Sequence, residues 1–238
     1  MKIGIESMPI LAIDTSSQWC SVAIYFADGT HLSRHEKVGN KASQVLLTWI
    51  DELMHESQIT WQDLQALAVS QGPGAFTGIR LGLGVAQGLA YAQQKPLIPI
   101  PSLDGMLAYE LFIKGNQTLP TQSIHAMIDA RMQQVYFASY QMGQDKTIHR
   151  DSSLQLIHLN DLHFNPQDIY FAYDLEEYIQ EGVIEVPKIY QVSAPHALGI
   201  AYLASFKLGL EKFLPRDCQP LYIRDQVALS IAQRAIQK

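Results

Sequence analysis

Asp14, Thr15 and Ser16 place a carboxylate and two hydroxyls where an apolar run, 9–13, breaks off. A strand that delivers such groups into a turn can hold a phosphate, or a metal-bound phosphate, through the backbone N–H groups of the corner. Asp and Ser are also ordinary turn residues, so a plain turn is the alternative. The second candidate is 71–88, QGPGAFTGIRLGLGVAQG, which holds six of the fifteen glycines. Gly72 and Gly74 flank Pro73 after the apolar run 67–69, the pattern of a strand end that turns sharply. Gly78, Gly82, Gly84 and Gly88 lie in an otherwise helical pattern, where each costs about 1 kcal/mol against Ala. The series Gly78, Gly82, Ala86, Ala90 repeats every four residues and lines one helix face with small side chains, so another backbone can come close. That face reads as a docking face, or else as the inner face of a tightly packed helix. Thr77 is expected to cap this helix. Arg80, near its positive end, is expected to reach an acid, a carbonyl or an anion, with a solvated surface arginine as the alternative. His31 and His35 have the spacing of a helical metal pair, but they fall in an expected strand, where four residues span about 13 Å.

The elements that must position these groups follow from periodicity. The runs 9–13 and 19–26, with Asp28-Gly29 leading into a third run, predict a strand meander with Asp14 at its first corner. Apolar residues at spacings of three and four predict a helix over 42–55, with Leu46, Trp49 and Ile50 on its stripe. Thr60 and Asp63 form a capping pair before the strand 67–69. The glycine helix and a strand at 97–100 then complete a parallel crossover. Ser102 is expected to cap a helix over 103–113, and the polar stretch 114–122 marks a boundary. Beyond it the strand, aspartate, hairpin theme returns at Asp129, which points to two related α/β lobes. A short strand is expected at 169–172, an apolar helix over 195–210 closing at Gly209, and a moderately amphipathic tail after 224.

Composition narrows the function classes. The apolar fraction of 47% is ample for a core, and two cysteines, Cys20 and Cys218, cannot form a disulfide framework, which fits a reducing, cytoplasmic setting. Glu6 and Asp14 interrupt the early apolar run, so no leader is expected, and the uncharged stretch 81–94 falls short of the roughly 18 residues of a membrane span. The net charge of −6 is uneven: 151–185 holds eight acids and no Lys or Arg, whereas 206–238 has six basic residues against three acidic. An acidic lobe repels phosphate backbones, so the chain alone is expected to bind nucleic acid poorly.

Taken together, ILAIDTS at 10–16, QGPGAFTGIRLGLGVAQGLAY at 71–91, IDARMQQVYFASY at 128–140 and PLYIR at 220–224 closely resemble the bacterial TsaB (YeaZ) family. The resemblance implies the actin-like ATPase superfamily: an α/β protein of two ribonuclease-H-like lobes with mixed sheets and flanking helices. It implies an N-terminal lobe over 1–114 and a C-terminal lobe over 115–238 whose last helices pack back toward the first. It further implies a non-catalytic scaffold and activator for threonylcarbamoylation of the adenosine next to the anticodon. The partners would be the paralogue TsaD and the small ATPase TsaE, with tRNA met indirectly, a homodimer when alone, and no membrane. ATP is used by the complex, and no cofactor is bound tightly by this chain alone. Carried over residue by residue, Leu46, Ile50, Phe76, Thr77, Arg80, Gly82 and Leu83 should lie at or near the pairing surface, with Asp14, Thr15 and Ser16 as a nucleotide-proximal corner.

The departures from the family pattern matter equally. Ala42 stands where the family usually has His, and Ala75 where it has Ser. The catalytic sister's paired metal histidines correspond to PSLDGM at 101–106, and no histidine occurs between His55 and His125. The second-lobe glycine turn is replaced by Ala172, Tyr173 and Asp174, and a ring and a carboxylate would obstruct and repel a phosphate. No catalytic and no metal residues are therefore expected. The alternative from another class is a self-sufficient ATP-dependent phosphotransferase, or a metalloprotease-like enzyme, of the same superfamily.

Overall fold

Strand β1 (Ile10–Asp14) is buried along its whole length because it is the middle strand of a five-stranded mixed sheet. Strands β2 (Trp19–Tyr25) and β3 (His31–Lys37) extend it antiparallel on one side, and β4 (Ala66–Ser70) and β5 (Leu97–Ile100) extend it parallel on the other. The order β3-β2-β1-β4-β5, with an antiparallel meander leading into a parallel crossover, is a ribonuclease-H-like arrangement. The structure, a computed structural model, describes residues 9–116, 123–143, 147–185, 190–210 and 213–224. The amphipathic tail expected after 224 lies outside the described residues, as does most of the expected boundary at 114–122.

Alternation along β1 sends Leu11 and Ile13 to one face and Ile10 and Ala12 to the other. On the first face, α1 (Ala42–Glu56) and α2 (Phe76–Ala92) bury Leu46, Ile50, Leu53, Ile79, Leu83, Ala86 and Ala90. Against the second face lies α5 (Ala197–Lys207), from late in the chain, through Leu198, Ile200 and Ala204. Helix α3 (Ser102–Ala108) runs into a π-helical turn, Tyr109–Ile113, and crosses α5 where Gly199 meets the Gly105 backbone.

The second sheet repeats the theme. Strand β6 (Ile124–Arg131) pairs antiparallel with β7 (Gln134–Met142), and β7 pairs with β8 (Ile148–Arg150) and β9 (Gln155–His158). On the other side β10 (Ile169–Tyr173) and β11 (Tyr190–Val192) run parallel to β6. Helix α3 covers one face of this sheet, while the other packs around Tyr170, Leu159, Leu175 and Ile184, next to the short α4 (Glu176–Gln180). Layers of helix, sheet, helix pair and sheet result, with α3 and α5 shared between the two halves.

Two expected caps are replaced. Helix α2 starts one residue earlier than Thr77, with Ala75 at the cap position and no side-chain cap bond. The cap of α3 is Pro101, and Ser102 pairs instead with Ser70 at 2.7 Å, tying β4 to α3.

The small-residue series on α2 faces inward, which corrects its reading as a docking face. A Cβ on Gly78 would collide with the Thr15 carbonyl, and one on Gly82 would lie 2.5 Å from Thr15 Oγ1. Gly84 and Gly88 have nothing within 4 Å of such a Cβ. Gly78→Ala and Gly82→Ala should therefore each destabilise the chain by about 2–4 kcal/mol, whereas Gly84→Ala and Gly88→Ala should each stabilise it by about 1 kcal/mol. Urea midpoints of the four variants check this, and the same sign at all four positions would contradict the packing assigned to α2.

Candidate functional site

The Asp14 corner and its counterpart in the second half face each other across a cleft of about 280 Å³. On the first side, Asp14 Oδ1 accepts from the Ser16 amide at 2.8 Å and the Ser16 hydroxyl at 2.7 Å. Oδ2 is buried and has no hydrogen-bond partner among the described residues. Burial holds the Asp14 carboxyl up at about 6, against the pull of the Ser16 bonds. Thr15 turns away from the cleft and donates to the Gly78 carbonyl at 2.7 Å, while the Ala75 amide donates to the Ser16 carbonyl at 2.7 Å. Gly74 and Gly78 permit this approach, since a side chain on either would overlap the carbonyls of Ser16 and Thr15. The corner is thus closed over by the start of α2, with the Ser16 donors already committed to Asp14.

On the second side, Asp129 ends the regular pairing of β6. Its Oδ1 accepts from the Arg131 amide at 2.9 Å, and Arg131 spans from Asp129 Oδ2 at 2.8 Å to Asp174 Oδ2 at 3.0 Å. Burial pushes the Asp129 carboxyl up, opposed by Arg131. Arg131, Met132, Gln133 and Asp174 all adopt left-handed φ values of 55–63° without glycine, a strained set concentrated at the cleft mouth. Tyr173 reaches across the cleft to Ser17 and Gln18 of the first half. The position where the family has a glycine turn therefore holds a ring, a carboxylate and a guanidinium.

A feature missed in the sequence closes the mouth. The segment 221–224 crosses from one half to the other as a strap: the Leu221 amide donates to the Gln71 carbonyl at 2.8 Å, and Tyr222 accepts from Arg80 Nε at 3.0 Å. Arg224 Nη2 then donates to the Ala130 carbonyl at 2.9 Å and to Gln134 Oε1 at 2.6 Å. Among the described residues Arg80 meets no acid or carbonyl; its guanidinium lies 3.5 Å above the centre of the Phe76 ring and beside Tyr222. The PLYIR motif was the available signal, but neither its position nor its composition says what it crosses.

The residues expected at a pairing surface divide. Phe76, Thr77 and Arg80 are exposed, whereas Leu46, Ile50, Gly82 and Leu83 lie inside the first half and present no outward surface. The outer face of α1 and α2 instead exposes Leu47 at 57% and Tyr91 at 82%, together with Gly84 and Gly88. His31 and His35 lie on β3 as expected, and His35 joins a column of rings: Trp19 at 4.4 Å on one side and His196 at 4.1 Å on the other, with Tyr109 stacked beyond at 3.9 Å. Burial lowers His35 to about 4 and His196 to about 2, so both rings are neutral at pH 7. Among the described residues no group of three or more His, Cys, Asp or Glu is placed to hold a metal ion, and no helix is long and apolar enough to cross a membrane.

A folded-state value of about 6 for Asp14, against an ordinary 3.8, means that the folded chain favours the protonated form. The stability this contributes is complete below about pH 4 and is lost as the pH rises through 6. Asp14→Asn should therefore gain about 3 kcal/mol on the parent chain between pH 4 and pH 7. Urea titrations at a series of pH values test it, and a difference independent of pH would contradict the buried charge.

Comparison with known proteins gives a consistent set of relatives. The family model described as "TsaD: tRNA N6-adenosine threonylcarbamoyltransferase" matches residues 36–237. The chain is 39% identical over 136 residues to the tRNA threonylcarbamoyladenosine biosynthesis protein TsaB of Haemophilus influenzae, covering 56% of this chain and 54% of that protein. It is 38% identical over 146 residues to the Escherichia coli protein of the same description, covering 61% of each. In these alignments the chain therefore spans little more than half the length of the relatives it matches. The solved structure of YeaZ from Pseudomonas aeruginosa superposes with a TM-score of 0.77 at 29% identity, over 90% of this chain and 99% of that one.

Proposed function

The chain belongs to the tRNA N6-adenosine threonylcarbamoyltransferase family, and from that premise we propose that it is a non-catalytic partner of a catalytic paralogue. It acts in N6-threonylcarbamoylation of the adenosine next to the anticodon in tRNAs reading A-starting codons; its likeness to TsaB proteins of tRNA threonylcarbamoyladenosine biosynthesis supports the modification. The observation that carries this reading is the make-up of the cleft: Tyr173, the Arg131–Asp174 bridge and the strap line the approaches that a phosphate would need. A chain arranged in this way contributes surface rather than chemistry. It binds no cofactor tightly by itself, works in the cytoplasm, and leaves ATP to the complex.

The pairing surface we assign is the outer face of α1 and α2, where Leu47 and Tyr91 are exposed and Gly84 and Gly88 leave backbone bare. Small residues let a partner helix approach closely, and the exposed apolar side chains supply the area that association buries. The same face serves TsaD and, in its absence, a second copy of the chain. TsaE and tRNA are met through the complex. The division into lobes near residue 114 leaves this face wholly on the first.

A second reading is a self-sufficient ATP-dependent phosphotransferase, or a metalloprotease-like enzyme, of the same superfamily. Titrating the isolated chain with ATP and zinc separates the two, because tight intrinsic binding of either would favour the enzyme.

Gly84→Arg should abolish co-purification with TsaD and homodimer formation while the monomer melts as before. Tsa-dependent tRNA modification reconstituted from purified components should fall by at least about tenfold on omission of this chain, that is by more than 1.4 kcal/mol of effective coupling. Undiminished pairing of the Gly84 variant would remove the assigned surface, and undiminished modification would remove the assigned role.

A further inference from the structure

Away from the cleft and from the α1–α2 face, a cavity of about 300 Å³ opens between the end of β5, the start of α3, the last turns of α5 and the β7–β8 pair. Its walls are apolar and aromatic. Phe112 of the π-helical turn stacks on Tyr202 at 4.9 Å, and Phe206 meets Tyr202 edge-on at 5.0 Å. The floor is polar: the buried Tyr140 hydroxyl donates to Asp104 Oδ1 at 2.7 Å, and Arg150 Nη1 donates to the two Asp104 oxygens at 3.1 and 3.2 Å. Lys207, in the last turn of α5, lines the same space and acts on Asp104 through its charge, yet forms no ion pair among the described residues.

The charge count sets the occupant. Among the described residues two cations face one carboxylate, and that carboxylate already accepts from both Tyr140 and Arg150. A cationic ligand would meet Lys207 unfavourably, and a phosphate-rich one would have to strip its charge of water against aromatic walls. An apolar body with a single negative group satisfies both parts of the site. The volume is that of a small-molecule pocket, with mostly apolar lining and a few polar groups that fix orientation. The rim supports the same occupant, since Phe206 and Leu210 remain 53% and 75% exposed.

We infer that this cavity binds small amphipathic monocarboxylates, with the apolar body among Phe112, Tyr202 and Phe206 and the carboxylate on Lys207. The site is independent of the pairing surface, and its test involves neither a partner subunit nor tRNA.

Calorimetric titration of the intact chain with octanoate should show saturable binding at one site per chain. Octan-1-ol, which has the same body and no charge, should bind about tenfold more weakly, the loss expected for one charge-assisted hydrogen bond. Lys207→Ala should bring octanoate down to the level of octan-1-ol, and Lys207→Arg should restore it. Tyr202→Ala should weaken both ligands alike, with thermal melting reporting that the variants remain folded. Absence of saturable binding, equal affinity for acid and alcohol, or an unaffected Lys207→Ala variant would each overturn the inference. Dissociation of a homodimer by octanoate would overturn it as well, because it would show the cavity rim to be a contact between copies of the chain.

Discussion

The distance at which α2 lies from the end of β1 governs the first half of this protein. Two reciprocal links set it: the Thr15 hydroxyl bonds to the Gly78 carbonyl, and the Ala75 amide bonds to the Ser16 carbonyl. Neither could form with side chains at 74 and 78, where a Cβ would overlap the carbonyl oxygens of Ser16 and Thr15. The glycines therefore convert a corner of the kind that can cradle phosphate into a sealed joint between strand and helix. Asp14 is left inside that joint, only 1% exposed, with its carboxyl raised by burial rather than lowered by donors.

The two halves are coupled by parts that come from distant positions in the chain. Helix α5 lies between the sheets, Tyr173 crosses the cleft to Ser17 and Gln18, and the strap carries Tyr222 to Arg80 and Arg224 to the β6–β7 turn. The column of Trp19, His35, His196 and Tyr109 adds a fourth connection, from β2, β3, the cap of α5 and the π-helical turn. Stacking two imidazoles in such a column works because burial, joined at His196 by repulsion from His35, keeps both uncharged at pH 7.

What could be read from the sequence was what local chemistry determines. The Asp28-Gly29 hairpin forms as its residues predict, with the Thr30 amide and hydroxyl both bonded to Asp28, and α1 follows its apolar stripe from Ala42 onward. The repeat of strand, aspartate and hairpin at Asp129 was legible for the same reason, and so was the two-sheet α/β architecture. The orientation of α2 was not, because Gly78 with Gly82 and Gly84 with Gly88 have the same spacing and only tertiary packing chooses which pair turns inward. The partners of Arg80 were not anticipated: it lies over the ring of Phe76 one helical turn before it, and the hydroxyl that accepts from it, on Tyr222, lies 142 residues further along. Ser102 offered the chemistry of a cap, but a nearer hydroxyl, Ser70, took its bond.

The placement of α5 has a consequence for how the chain is made. Residues 10–100 hold every strand of the first sheet, yet one face of that sheet, with Ile10, Ala12, Ala68 and Ile98, receives its main cover from residues 197–207. During synthesis this oily surface stays unmatched until roughly another hundred residues have left the ribosome, at a few to about twenty residues per second. The first sheet therefore does not bury both faces with its own segment of the chain: it is completed late, by a helix encoded far downstream, and a nascent chain arrested near its middle exposes apolar surface of the kind chaperones bind.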